Sequence, residues 1–186
     1  MGCRLLVKDE EIIREVQRGQ TKLFEELVRK YYEKIYRYCY YHISNEHSAL
    51  DITQEVFMKI YENIEIYENK GKFQNYLYVI AGNACKDYFK KKKIYSLEEV
   101  PEFGNENTIL ETENKILVQQ ALESLTMEER EIIILRYYQD LKYKDISQIT
   151  GASISRLEYY LNKSIKKLRV VLCQDLVQVK MRFSSS

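Results

Sequence analysis

Helix-breaking residues are scarce in this sequence. Pro101 is the single proline among 186 residues, and there are only six glycines. An all-β sandwich or barrel needs many turns, and turns are built largely from glycine and proline. The rest of the composition is that of an ordinary globular protein, with 45% hydrophobic and 31% charged residues. We therefore predict a folded, all-α protein.

Long apolar runs and paired cysteines are also missing. No run approaches the ~18 residues of a membrane-spanning helix, and the start, MGCRLL, has no apolar core of a secretory signal. The four cysteines form no Cys-x-x-Cys pair, so neither a zinc site nor a disulfide is expected. We expect a cytoplasmic protein with no membrane insertion, no metal and no cofactor. The cysteines are Cys3, Cys39, Cys85 and Cys173.

The sequence offers little for catalysis. His42 and His47 are its two histidines, and neither has a helical spacing to acidic residues that suggests a site. We expect no catalytic residue and no enzymatic activity. The enzymatic alternative is a small metal-dependent hydrolase that uses Asp51, Glu55 and a histidine, and its activity would be lost on Glu55→Ala.

A formal net charge of +1 conceals an uneven distribution of charge. Residues 96–120 are strongly acidic, whereas the residues before and after them carry a small basic excess. The acidic stretch includes SLEEVPEFGNEN, which holds the proline and breaks the helical pattern. We predict two small helical domains, residues 1–93 and 109–186, joined by an extended acidic linker at 94–108.

Apolar spacings of three and four residues predict the helices of the first domain. A short helix around Ile12 to Val16 ends near Gly19, and a helix of about six turns covers residues 21–42. Ser48 is predicted to cap a third helix, which runs to about Glu62, and a fourth covers about 73–92. The predicted buried stripes are Leu50, Thr53, Phe57, Ile60 and Ile64 on the third helix, and Phe73, Leu77, Ile80, Ala81, Ala84 and Tyr88 on the fourth.

The second domain is predicted to contain a helix-turn-helix. Helix is expected from about 109 to 124, and Thr126 with Glu129 forms a capping box that opens the next helix. A short helix at about 143–149, a turn at Gly151 and a long helix from about Ser153 to Leu172 complete the motif. An ordinary helical hairpin with a solvated face fits the pattern nearly as well. The predicted core residues are Ile146, Ile149, Leu157, Leu161 and Leu168.

Two stretches of the first domain have unusual surface chemistry. Asp51 and Glu55 lie four residues apart, repel each other, and have no predicted local partner. They indicate either a surface for a basic partner or a plain solvated face. The stretch KDYFKKKK, from Lys86 to Lys93, combines phosphate-binding cations with rings that can stack on bases. Its alternative is a packed aromatic helix, with Tyr76 and Tyr88 in the core and a solvated basic end.

In their order along the chain, these features resemble bacterial RNA polymerase sigma factors of the extracytoplasmic-function (ECF) type. The resemblance runs from about Leu23 to Leu168. The DxxQE-type stretch followed by phenylalanine is Asp51 to Phe57. The second domain, which usually opens Leu-Pro-x-x-x-Arg before a Leu-Arg-Tyr run, reads Leu125-Thr126 through Arg130 to Leu135-Arg136-Tyr137. The family pattern Phe-x-x-Trp-Leu-x-x-Ile-Ala-x-Asn, then Asp-Tyr and a basic run, corresponds to Phe73, Tyr76, Leu77, Ile80, Ala81, Asn83, Asp87, Tyr88 and Lys90 to Lys93.

The resemblance implies a function for each surface. Asp51, Gln54 and Glu55 would dock on the coiled coil of the β′ subunit of core RNA polymerase, which also contacts such factors through β. The fourth helix and the loop before it would bind the −10 promoter element and trap an extruded base, using Asn83, Lys86, Asp87, Tyr88, Lys90, Lys91 and Lys92. The helix-turn-helix would read the −35 element with Ser155, Arg156, Glu158, Tyr159, Lys163, Lys166 and Lys167. An anti-sigma factor that covers these faces is also implied.

The chain departs from the family pattern at three positions. Tyr76 replaces the usual tryptophan, Thr126 replaces proline, and Tyr160 replaces an arginine expected to contact phosphate, while Arg156 adds a cation nearby. The promoter sequence of relatives therefore does not transfer to this chain. Lysine in place of arginine suggests point-charge contacts to phosphate rather than bidentate readout of bases.

The predicted function is that of an alternative sigma factor, which binds core polymerase and directs promoter recognition, melting and initiation. One alternative is a helix-turn-helix regulator that acts without replacing the sigma subunit. Such a regulator would need neither the Asp51 face nor the melting helix. Another is a degenerate homologue that only sequesters polymerase.

Overall fold

The computed structural model describes residues 8–68, 72–95 and 117–183. Side chains are described up to Lys92 in the first part of the chain and up to Cys173 in the last. The chain divides into two compact units, Met1–Glu99 and Val100–Ser186, called here the N-terminal and the C-terminal unit. The predicted linker beyond Tyr95 and the predicted helix at 109–116 lie outside the described residues. Within the described ranges the chain forms helices and turns only, which confirms the predicted all-α class.

The described residues of the N-terminal unit form four α-helices. A 3₁₀ turn at Thr21–Leu23 leads directly into the second of them. The helices are α1 Asp9–Gln17, α2 Phe24–Ile43, α3 Glu46–Asn63 and α4 Phe73–Tyr95.

Helix α2 lies at the centre of this unit, in contact with α1, α3 and α4. Its periodic apolar positions are buried as predicted, with Leu27, Ile35, Tyr38 and Cys39 fully inaccessible to solvent. Burying such side chains contributes about 1.5–3 kcal/mol each. The long helices that carry the candidate surfaces are therefore held from behind by one continuous core.

The predicted start of α3 was wrong. Asn45, not Ser48, caps this helix, and the Asn45 Oδ1 atom accepts a hydrogen bond from the backbone N–H of Ser48 at 2.8 Å. Ser44 adopts the left-handed conformation with φ of 58°, which ends α2 and turns the chain. Both residue types can serve as caps, so the choice depended on where the turn between the helices falls.

The predicted buried stripes need correction at single positions. Leu50 is only half-buried, and Ala49, Ile52 and Val56 complete the stripe of α3. On α4, Tyr78 is the fully buried tyrosine, whereas Tyr76 and Tyr88 are half-buried, as is Ile80. The buried Tyr78 ring packs 5.3 Å from the Tyr38 ring, centroid to centroid.

The C-terminal unit begins, in the described residues, with helical residues 117–123. The next helix, α5, passes into a π-helical segment at Ile134–Tyr138. The helices are α5 Met127–Ile133, α6 Tyr143–Thr150 and α7 Ile154–Phe183.

Helices α6 and α7 form the predicted helix-turn-helix. Gly151 adopts φ of 73° between them, a left-handed conformation that glycine accommodates without strain. The Ser153 side chain accepts a hydrogen bond from the Arg156 N–H at 3.3 Å and so caps α7. Ile146, Ile149, Leu157 and Leu161 are buried as predicted, while Leu168 is half-buried.

Candidate interaction surfaces

One surface lies on the outer side of α3. Asp51, Gln54 and Glu55 are all exposed there, opposite the buried stripe. The expectation that nothing local pairs the two acids was wrong, because Lys59 Nζ lies 2.6 Å from Glu55 Oε1. Both partners are largely solvated, so this pair contributes only about 0.3–0.5 kcal/mol. The surface therefore combines acidic and amide groups with one lysine at its edge.

Sequence reasoning missed an apolar residue beside this surface. Met58 follows Glu55 by three residues, so it lies on the same side of α3, and its side chain is 62% exposed. Tyr61, one turn further, is 45% exposed. An exposed methionine next to charged groups is suited to contact a partner protein. The i, i+3, i+4, i+7 spacing from Asp51 would have been sufficient to find it.

The second surface is the outer side of α4, whose polar residues are all exposed: Asn83, Lys86, Asp87, Lys90, Lys91 and Lys92. Lys90 Nζ lies 3.0 Å from Asp87 Oδ1. A hydrogen bond from Lys90 lowers the pKa of Asp87, and the charges of Lys90, Lys59 and Lys91 lower it further. Even with this acid present, the helix presents a strong excess of positive charge.

Aromatic rings cluster where α4 begins. The ring centroids of Tyr67 and Tyr76 are 4.7 Å apart, and Tyr67 also packs edge-on against Phe73 at 5.7 Å. Tyr67 and Tyr76 are half-buried, and burial raises the pKa of both phenols. The half-exposed rings can stack on a base while their inner edges remain packed in the unit.

The Gln17 side chain holds the backbone around Tyr67 in place. Its Nε2 atom donates hydrogen bonds to the carbonyl oxygens of Ile64 at 2.8 Å and Tyr67 at 2.9 Å. These carbonyls lie just beyond the end of α3, where backbone acceptors have no partner within the helix. A side chain of α1 therefore anchors the connection that leads to α4.

We expect Gln17→Ala to destabilise this connection by about 1 kcal/mol, because the Tyr67 carbonyl loses the Gln17 donor and the Ile64 carbonyl keeps only the bond from the Tyr67 N–H. Hydrogen–deuterium exchange should speed up for the amides of residues 64–68, while the amides of α2 exchange at the wild-type rate. Gln20→Ala is the matched control, since the Gln20 side chain donates a hydrogen bond to the half-buried Glu15 carboxylate at 2.8 Å, away from residues 64–68. Unchanged exchange at 64–68 in Gln17→Ala would contradict the anchoring role.

The third surface is the first part of α7, where Ser155, Arg156, Glu158, Tyr159, Lys163 and Lys166 are exposed and Lys167 is half-buried. Arg156 Nη2 donates to the Tyr160 hydroxyl at 3.2 Å, and the guanidinium lies 5.3 Å from the centre of that ring. Tyr160, which replaces the arginine of the family pattern, thus orients the cation one turn before it.

Two lysines of this surface also face inward. Lys163 Nζ lies 3.2 Å from Glu129 Oε1, and Lys167 Nζ lies 2.7 Å from Glu129 Oε2. Glu129 has no solvent-exposed surface. Burial alone would raise the pKa of this carboxyl, but hydrogen bonds from Lys167 and the Thr126 N–H, together with the ion pair to Lys163, lower it to about 2. The carboxylate is therefore ionised at neutral pH.

An apolar groove of about 470 Å³ opens in the C-terminal unit. Its walls come from helical residues 117–123, the π-helical segment and α7. They include Leu122, Tyr137, Tyr138, Ile165 and Leu172.

No group of three or more His, Cys, Asp or Glu side chains in the described ranges is arranged to hold a metal ion. None of the helices in residues 8–68, 72–95 and 117–183 has the length and apolar character needed to cross a membrane.

Comparison with known proteins assigns both units. The Sigma-70 region 2 family model matches residues 27–94, and the Sigma-70 region 4 model matches residues 115–168. The ECF RNA polymerase sigma factor SigW of Bacillus subtilis is 28% identical over 173 residues, which cover 84% of this chain and 92% of SigW.

Solved structures share the fold. CnrH, in complex with the cytosolic domain of CnrY, superimposes with a TM-score of 0.73 at 17% identity, covering 90% of this chain and 98% of CnrH. The sigma factor RpoE of Bartonella quintana, in complex with the anti-sigma factor NepR, has a TM-score of 0.66 at 19% identity, covering 80% of this chain and 96% of RpoE. With both sigma regions matched in order and a relative aligned over most of its length, this chain belongs to the ECF-type RNA polymerase sigma factors.

Proposed function

We propose that this sigma factor binds core RNA polymerase through the α3 surface, opens the −10 element with α4, and reads the −35 element with α7. The observation that carries the proposal is the presence of three exposed polar surfaces on the two units that match sigma regions 2 and 4. A regulator that leaves the resident sigma subunit in place would need only the C-terminal unit. The match to region 2 therefore disfavours that alternative.

The α3 surface suits a basic, helical partner such as the coiled coil of β′. Asp51 and Glu55 supply negative charge, Gln54 supplies an amide, and Met58 supplies an exposed apolar anchor. Central apolar contacts ringed by polar groups are the usual source of binding energy at protein interfaces. The apolar groove of the C-terminal unit offers a second contact, which we assign to the β subunit.

The α4 surface suits single-stranded promoter DNA. Its lysines can neutralise phosphates, and the rings of Tyr67 and Tyr76 can stack on a base drawn out of the duplex. Unstacking a base costs a few kcal/mol, which stacking and phosphate contacts together can offset. Asn83 and Tyr88 complete this surface from the next turns of the helix.

The α7 surface suits the major groove of the −35 element. The first turns of a recognition helix contact base edges, and here they carry Ser155, Arg156, Glu158 and Tyr159. Lys166, on a following turn, is exposed and adds positive charge. Arg156, oriented by Tyr160, takes the place of the missing arginine at position 160.

We further propose that the protein works in the cytoplasm as a non-catalytic subunit and is held inactive by an anti-sigma factor. The proposal draws on CnrH and RpoE, which share this fold and were solved with bound partners. Such a partner would cover the α3 surface and the groove, since both expose apolar side chains.

The test is transcription with purified components. The protein is mixed with sigma-free core polymerase and fragments of genomic DNA, and specific run-off transcripts are sought. We expect transcripts with the wild-type protein and at least a tenfold loss with the paired change Asp51→Ala and Glu55→Ala, because the docking surface loses both charges. Glu25→Ala with Glu33→Ala, two exposed acids of α2, is the matched control and should keep full activity.

Other outcomes distinguish the alternatives. Specific DNA binding without initiation by core polymerase would establish the regulator. Polymerase binding without any promoter-specific transcript would establish a sequestering homologue. Transcripts that persist in the Asp51→Ala, Glu55→Ala variant would place the docking surface elsewhere.

A further inference from the structure

Glu129 joins the start of α5 to the recognition helix α7. We propose that this buried carboxylate fixes the position of α7 and withholds Lys163 and Lys167 from the promoter backbone, which leaves Lys166 as the lysine of this trio that contacts phosphate. The inference rests on the proposed reading of the −35 element by α7. Glu129 is then a positioning residue. Lys163 and Lys167 hold α7 in place, and Lys166 contacts DNA.

The geometry engages both oxygens of the carboxylate. Oε1 is paired with Lys163 at 3.2 Å. Oε2 accepts from Lys167 Nζ at 2.7 Å and from the Thr126 N–H at 3.1 Å. The Thr126 hydroxyl in turn accepts from the Glu129 N–H at 3.3 Å, which completes the capping box. One side chain therefore caps the start of α5 on one side and pairs with two successive turns of α7 on the other.

Electrostatics favour the internal contact over a phosphate. Glu129 is fully covered in the folded unit, and releasing either lysine would leave part of its negative charge unpaired at this partly desolvated position. A lysine that moved from Glu129 to a DNA phosphate would gain a contact in a solvent-exposed, high-dielectric environment, where salt cations compete for the phosphate. The lysine would lose a contact with a buried charge, which salt screens much less. Lys163 and Lys167 should therefore stay on Glu129 when DNA binds.

Lys166 differs from its two neighbours. It is exposed and takes part in none of the ion pairs found among the described residues. Its position on α7 turns it away from Glu129, because successive helical residues are about 100° apart. Moving Lys166 to a phosphate costs the unit no internal contact.

The experiment measures how promoter binding depends on salt. Holoenzyme is assembled from core polymerase and the full-length protein, and its affinity is measured at several salt concentrations. One DNA carries a promoter recovered by the run-off assay, and a second has its −35 element scrambled. The slope of log K against log salt falls by about 0.9 for each phosphate contact that is lost.

We expect Lys166→Gln to reduce the slope by about one contact, and Lys163→Gln and Lys167→Gln to leave it unchanged while amide exchange in α7 speeds up. Glu129→Gln should steepen the slope, because both lysines are released, and should lower the preference for the intact −35 element at least threefold. Thr126→Ala is the matched control. It removes one capping bond but keeps the carboxylate, so we expect lower stability with the wild-type slope.

A slope reduced by Lys163→Gln or Lys167→Gln as much as by Lys166→Gln would overturn the proposal, since those lysines would then contact phosphate directly. An unchanged slope and preference in a folded Glu129→Gln protein would also overturn it. If Glu129→Gln does not fold, the three lysine variants still decide the question. A different result would contradict the proposed function itself: wild-type holoenzyme would bind the promoters with the intact and the scrambled −35 element equally well.

Discussion

Tyr38→Ala is expected to lower the free energy of unfolding of the N-terminal unit by about 3–5 kcal/mol. The Tyr38 side chain is fully buried in the centre of α2, with its ring 4.5 Å from His42 and 5.3 Å from Tyr78. Truncation removes these contacts and leaves a cavity that the close-packed core around it closes only in part. Because a small domain is stable by only about 5–15 kcal/mol, a large share of its stability would be lost.

This effect is measured by urea denaturation of the full-length protein, with amide exchange in α2, α3 and α4 as the readout. Tyr61→Ala is the matched control, because its ring is 45% exposed and lies tilted against Phe24, with the two ring centroids 5.1 Å apart. We expect it to cost less than about 1.5 kcal/mol. Equal costs for the two substitutions would mean that the unit is not held by the core around Tyr38. In Tyr38→Ala the α3 and α4 surfaces should be disrupted together, since both helices pack on α2.

Glu129→Gln is expected to destabilise the C-terminal unit by about 2 kcal/mol at neutral pH, after allowing for the partial exposure of the two lysines. The native pKa of Glu129 is about 2, well below the ordinary 4.5 of a glutamate. Ionisation therefore favours the folded state. Its contribution is fully present above about pH 4.5 and is lost as the pH falls towards 2.

Amide exchange of buried residues in α7, such as Leu157 and Leu161, measures this effect in the full-length protein between pH 7 and pH 3. The difference in opening free energy between wild type and Glu129→Gln should be constant down to about pH 4.5 and should then narrow. The amides of α2 provide the internal reference, because the substitution lies in the other unit. A difference that is independent of pH over the whole range would show that the carboxylate charge is not what stabilises α7.

The helices and their order followed from the spacing of apolar residues. Helix α2 is the clearest case, since every strongly predicted position from Phe24 to His42 is buried or half-buried. The capping box at Thr126 and Glu129 and the left-handed turn at Gly151 were also predictable, because their partners lie within a few residues. Such features depend on local backbone geometry, which short stretches of sequence specify.

Details that depend on neighbouring helices were predicted less well. Asn45 rather than Ser48 caps α3, and Tyr78 rather than Tyr76 or Tyr88 is the fully buried tyrosine of α4. In each case two residues of suitable chemistry lie within one or a few turns of each other. The packing of α2 against α3 and α4 selects between them, and periodicity in one helix contains no information on its neighbours.

The sequence by itself determined the all-α class, the helix-turn-helix, the polar faces of α3, α4 and α7, and the family resemblance that the comparisons confirm. Only the tertiary structure decided that Gln17 holds the chain before α4, and that Glu129 draws Lys163 and Lys167 inward from the recognition helix. The two contacts of Gln17 join residues that are 47 and 50 positions apart in the sequence. The contact between Lys167 and Glu129 joins residues that are 38 positions apart. Local propensity acts over a few residues, whereas contacts at such separations exist only once the helices have packed.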